Sequence, residues 1–98
     1  MGQSVDWDRD RIWKYEIQVE DEFTVEMPRL AQVIHVAVQD GTPCMWARVN
    51  PAAEMTTRTF HVHGTGHRVD PTMVHLGSFI LLGGRFVGHL FESREARR

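Results

Sequence analysis

Apolar and polar residues alternate with a period of two along most of this chain, and no window carries a helical stripe. That periodicity is the strongest constraint on the fold, because side chains two apart share one face of a strand. Trp13, Tyr15, Ile17 and Val19 point one way and Lys14, Glu16 and Gln18 the other, predicting a half-buried strand over 13–19. Glu20-Asp21-Glu22 turns the chain. Phe23, Val25 and Met27 then alternate with Thr24 and Glu26 until Pro28, which has no N–H for a ladder. Over Val33 to Gln39 both faces are apolar, with Ile34, Val36 and Val38 opposed to Val33, His35 and Ala37, which predicts a central strand. Asp40-Gly41-Thr42-Pro43 is turn chemistry, and Cys44 to Val49 continues as a strand carrying Trp46.

Asn50 to Glu54 reads as a loop, and Thr57 to His63 as a strand with Arg58, Phe60 and Val62 opposed to Thr59, His61 and His63. Gly64-Thr65-Gly66 turns it, and Arg68 to Thr72 is a polar connection. His75 to Leu82 and Arg85 to Glu92 flank Gly83-Gly84, a two-residue hairpin signal. Its register sets Leu82 opposite Arg85, Ile80 opposite Val87 and Ser78 opposite His89. Strands at spacings of roughly 8 to 12 residues predict an all-β domain, a single small antiparallel β-sandwich or barrel of about seven strands. We assign residues 11–92 to it, 1–10 to a flexible N-terminal segment and 93–98 to a frayed basic tail.

Composition narrows the function classes. A 42% hydrophobic share in 98 residues supports one core. A net charge of −2 lacks the basic face that nucleic acid or an anionic membrane attracts. The longest apolar run, Phe79-Ile80-Leu81-Leu82, is far below a membrane span. The polar, acidic start is no signal peptide, and a lone cysteine, Cys44, excludes an internal disulfide and suits a reducing cytosol.

The densest chemistry is Phe60-His61-Val62-His63-Gly64-Thr65-Gly66-His67, with three of the six histidines. His61 and His63 share a strand face, so an H-x-H zinc pair is conceivable, with His75, His35, Asp70 or Glu54 as further ligands. The polar face of an amphipathic strand explains them more simply, and neither a metal nor a cofactor is expected. Gly64, Thr65, Gly66, His67 and Arg68 could instead form a backbone nest for a phosphate or carboxylate, although the P-loop lysine and G-x-G-x-x-G spacing are absent. A tight turn needing positive φ is the plainer account. His89 and His35 read as core histidines, and Trp13, Tyr15 and Trp46 as core aromatics. Trp7 stands in a polar segment and needs a reason for exposure, such as docking back on the domain or on another subunit. Cys44 reads as a buried thiol, Ser4, Ser78 and Ser93 lack a nucleophile elbow, and the carboxylates lie in turns or on the solvent face. Enzyme action is therefore the less favoured class, with a zinc hydrolase as its remaining form.

Trp13-Lys14-Tyr15, Met27-Pro28, Ile34-His35-Val36, Gly41-Thr42-Pro43-Cys44-Met45-Trp46-Ala47, Asn50-Pro51, Gly64-Thr65-Gly66-His67, Gly77-Ser78-Phe79 and His89-Leu90-Phe91-Glu92 together resemble a family of small proteins of unknown function, encoded mostly by tailed phages and prophages. The resemblance spans about Ile12 to Glu92. Its pattern includes the Gly-Thr-Gly-His turn but not His61 or His63, which moves the expectation from a metal pair to the turn. It implies a phage origin and action in the host bacterial cytoplasm. The resulting expectation is a non-enzymatic binding protein, a homo-oligomer, holding an anionic or nucleotide-like ligand at Gly64 to Arg68 with Trp46 stacking on a base. The alternative is a protein–protein module, inhibiting a host factor or built into the virion.

Overall fold

The computed structural model describes residues 8–94, so Trp7, most of the expected N-terminal segment and the last four residues of the expected tail lie outside the described residues. Seven strands follow in order: β1 Arg11–Glu16, β2 Phe23–Pro28, β3 Gln32–Gln39, β4 Thr42–Val49, β5 Met55–Gly64, β6 Val74–Leu81 and β7 Phe86–Glu92. They form two antiparallel sheets, β1-β4-β3 and β2-β5-β7-β6. The all-β expectation holds, in its sandwich form. Ile17, Phe23, Met27, Met45, Phe60 and Leu90 fill the space between the layers at 6% exposure or less, each contributing about 1.5–3 kcal/mol by burial. Phe23 and Phe60 stack across the β2–β5 pair with ring centroids 5.7 Å apart.

Turn chemistry sets both tight hairpins. Asp40 and Gly41 both take positive φ, 52° and 80°, between the paired Gln39 and Thr42, the backbone that an Asp-Gly hairpin supplies. At the β6–β7 end Gly83 and Gly84 also take positive φ, and the Arg85 N–H donates to the Leu82 carbonyl at 3.2 Å. Leu82 is itself at φ 56°, so regular pairing stops at Leu81–Phe86, while Ile80–Val87 and Ser78–His89 pair in the expected register.

Three expectations are corrected. β3 is an edge strand, because β4 pairs with β1 on its other side. A bulge between Val33 and His35 breaks the strict alternation and turns Val33 to the same core-facing side as Val36, leaving Ile34 47% exposed. β1 starts at Arg11 and ends at Glu16. Of the aromatics assigned to the core, Trp13 is 37% exposed at the open edge of its sheet. Trp46 lies on the outer face, against His35 at 5.5 Å, because it alternates with the buried Met45 and Ala47. Tyr15 does pack against the core, with its hydroxyl buried and unpartnered.

Among the described residues, charge enters the sandwich at Arg58 and Glu92. Arg58, on the face of Phe60, forms a fork with Glu92, Nε–Oε2 2.7 Å and Nη2–Oε1 2.9 Å, and donates from Nη1 to the Ala31 carbonyl. Both side chains are about one-fifth exposed, at 21% and 19%. The fork satisfies the guanidinium where water cannot fully reach it. The closing Glu of His-Leu-Phe-Glu therefore ties β7 to β5.

Candidate functional site

The outer face of the four-stranded sheet collects most of the chain's histidines. β5 and β7 pair His63 with His89 and His61 with Phe91. β6 adds Ser78 opposite His89 and His75 opposite Phe91. Two cross-strand rows result, His63–His89–Ser78 and His61–Phe91–His75. His75 and Ser78 are three apart, which strict alternation would send to opposite faces. A bulge between His75 and Gly77 brings them onto one.

These groups touch as a network. Ser78 Oγ lies 2.8 Å from His89 Nδ1 and 3.3 Å from His75 Nε2. His89 Nε2 lies 3.0 Å from Thr65 Oγ1, so the turn after β5 is hydrogen-bonded to the face. The Phe91 ring sits between His75 at 5.0 Å and His63 at 5.6 Å, and the His61 and His63 rings stack at 6.1 Å. His61 Nδ1 lies 3.1 Å from the Asp21 carbonyl. His63 Nε2 is shielded without a hydrogen-bond partner. Asp70 also approaches this side. Its carboxyl is held below the ordinary carboxylate range mainly by the Thr72 backbone N–H, then by the Thr72 hydroxyl, with His61 adding attraction.

In the turn expected to hold an anion, the His67 N–H donates to the Gly64 carbonyl at 3.1 Å. The Gly64 N–H donates to His67 Nδ1 at 3.3 Å, which places the neutral ring's proton on Nε2. Gly66 takes φ 93°, which a side chain resists. Thr65, Gly66, His67 and Arg68 are all exposed. Beside the turn a groove of about 200 Å³ runs along Glu20, Val62, Gly64, His67 and Phe86. Two donors of the turn are thus spent within it, the Gly64 N–H on the His67 ring and the His67 N–H on the Gly64 carbonyl.

Trp46 does not join this site. It lies on the outer face of the other sheet, with Lys14 and His35 as its cross-strand neighbours. The ring systems joined to the turn are those of His89 and its neighbours, His75 and Phe91. Among the described residues no group of three or more His, Cys, Asp or Glu side chains is arranged to hold a metal ion. His89, read as a core histidine, is half-buried on the outer face, while Gly88 and Leu90 on either side are buried; its bond to Ser78 is the one the hairpin register predicts.

A family model described as a domain of unknown function (DUF7352) matches residues 9–98. The chain belongs to that family. No curated protein and no solved structure matches it. The match covers both outer faces, the Gly64–Arg68 turn and the Arg58–Glu92 fork of this DUF7352 domain.

Proposed function

We propose that this DUF7352 domain is a non-enzymatic binding protein that holds a small anionic, nucleotide-like ligand at the Gly64–Arg68 turn and the adjoining histidine face. The observation that supports it best is the Thr65–His89 hydrogen bond at 3.0 Å. It makes the turn and the ring systems one continuous surface. Arg68 and the Nε2–H of His67 would meet phosphate, the Gly66 backbone would allow close approach, and Phe91 with its flanking imidazoles would stack on a base. The sequence resemblance supports a phage-encoded protein acting in the cytoplasm of the infected bacterium.

Calorimetry with a panel of cyclic and linear nucleotides tests the reading. Heat with at least one nucleotide, lost by about tenfold or more in affinity in Arg68→Ala, is the expected result; no heat with any member sinks it. The second reading, a module that docks on a host or virion protein, is favoured by exposed Ile12 and Ile34 beside Trp46. Stoichiometric co-purification of such a protein from infected cells, with no small molecule retained, would select that reading.

A further inference from the structure

We infer that a second copy of this chain pairs with the open edge of β1, in an antiparallel register centred on Ile12. The proposal is independent of the ligand site. Among the described residues β1 pairs only with β4, and the Ile17 N–H donates to the Pro43 carbonyl on that side. In an antiparallel ladder alternate residues turn their N–H and C=O to the same neighbour. Residues 11, 13, 15 and 17 therefore face β4, and the backbone groups of Asp10, Ile12, Lys14 and Glu16 face outward. Five of the six β1 residues are exposed, including Ile12 at 62% and Trp13 at 37%. An edge like this is a template for another strand unless something blunts it.

Side-chain chemistry selects the register. A two-fold antiparallel pair must set residues of the same face opposite each other, which leaves few choices. Centring on Arg11 or on Lys14 sets like charges against each other. Centring on Trp13 places Asp10 against the partner's Glu16, and centring on Tyr15 overlaps only Lys14, Tyr15 and Glu16 of the two strands. Centring on Ile12 places Ile12 against the partner's Ile12, Asp10 against the partner's Lys14 and Arg11 against the partner's Trp13. The second contact is an opposite-charge pair and the third a cation–π pair, each formed twice. The groove lined by Asp10, Ile12, Gln32, Ile34 and Arg48 lies on the outer face of the same sheet, with β4 between Ile34 and the new contact. The product is a continuous sheet, β3-β4-β1 joined to its two-fold copy.

Site-directed crosslinking of the full chain tests both the dimer and its register. In this register the two Ile12 Cα atoms lie about 5.5 Å apart, within disulfide reach, whereas the two Lys14 positions are offset by about 13 Å along the strands. The native thiol, Cys44, is buried and does not interfere. Ile12→Cys is expected to give a thiol-reducible covalent dimer under mild oxidation, and Lys14→Cys to form no disulfide-linked dimer. Sedimentation of Lys14→Asp is expected to show a dimer dissociation constant raised by about tenfold or more, with a single cooperative melting transition confirming that the variant folds. A wild-type chain that sediments as a monomer at all concentrations, or equal crosslinking at positions 12 and 14, overturns the inference.

Discussion

The two outer faces of the sandwich are built from the same strand geometry and end in opposite chemistry. The three-stranded face centres on Trp46, with His35 at 5.5 Å, exposed Ile12 and Ile34, and Lys14 bonded to Gln39 at 2.7 Å. Its polar contacts, the Lys14–Gln39 bond and the Arg48–Asp10 ion pair, flank the tryptophan without joining it. The four-stranded face centres on Phe91 and is ringed by imidazoles and hydroxyls joined through His89. A face of exposed apolar side chains edged by separate polar pairs suits another protein surface. Linked rings and donors beside a backbone turn suit a small polar ligand. The difference lies in connectivity, since aromatic content alone would have favoured the tryptophan.

Substitutions can break this contrast in order of size. The largest effect is expected beneath the histidine face, at Gly88. A Cβ there would stand 2.4 Å from Cζ of the buried Phe79, so Gly88→Ala should cost about 1–3 kcal/mol in urea unfolding and disturb His89 with it. Next is the ligand contrast. His89→Ala should weaken nucleotide binding by about tenfold, roughly 1.4 kcal/mol, while Trp46→Ala should leave it within about twofold and cost only folding stability. Equal losses in the two variants would erase the distinction between the faces.

Smaller still is Tyr15→Phe. Removing a buried hydroxyl without a partner should leave stability unchanged or raise it by up to about 1 kcal/mol. Burial raises the Tyr15 pKa above its ordinary value of 10.0, partly opposed by Arg58. The stability linked to it is complete below pH 10 and lost as pH rises through the folded-state value. Tyr15→Phe should therefore flatten the alkaline limb of the stability curve. The smallest effect is Asp70→Asn. The depressed carboxyl of Asp70 contributes above its unfolded pKa, and that contribution fades as pH falls below about 4. The variant should slightly flatten the acid limb, as thermal melts at stepped pH would show.

Local rules make much of this legible in the sequence. Asp40-Gly41 and Gly83-Gly84 mark the two tight hairpins, and the spacing of the second is enough to set Ser78 against His89. Phe60 and Val62 are buried opposite His61 and His63, as alternation requires. What alternation does not carry is non-local. β5 pairs with β7 rather than with its sequence neighbour β6, and only that pairing brings His61 and His63 beside His89 and Phe91. Bulges leave no mark in the periodicity either: one moves Val33 to the core side of β3, and another puts His75 on the face of Ser78. Trp46 departs from its expected core position for a local reason. Size favours burial, whereas the buried Met45 and Ala47 on either side fix it outward.

The most direct test of the central claim is a backbone and side-chain NMR titration of the full chain with the nucleotide panel. Shifts are expected in the amides of Thr65, Gly66, His67 and Arg68 and in the imidazole signals of His89 and His75, with the Trp46 indole unmoved. Shifts confined to Trp46 and its neighbours Lys14 and His35, or no shift with any nucleotide, would contradict it.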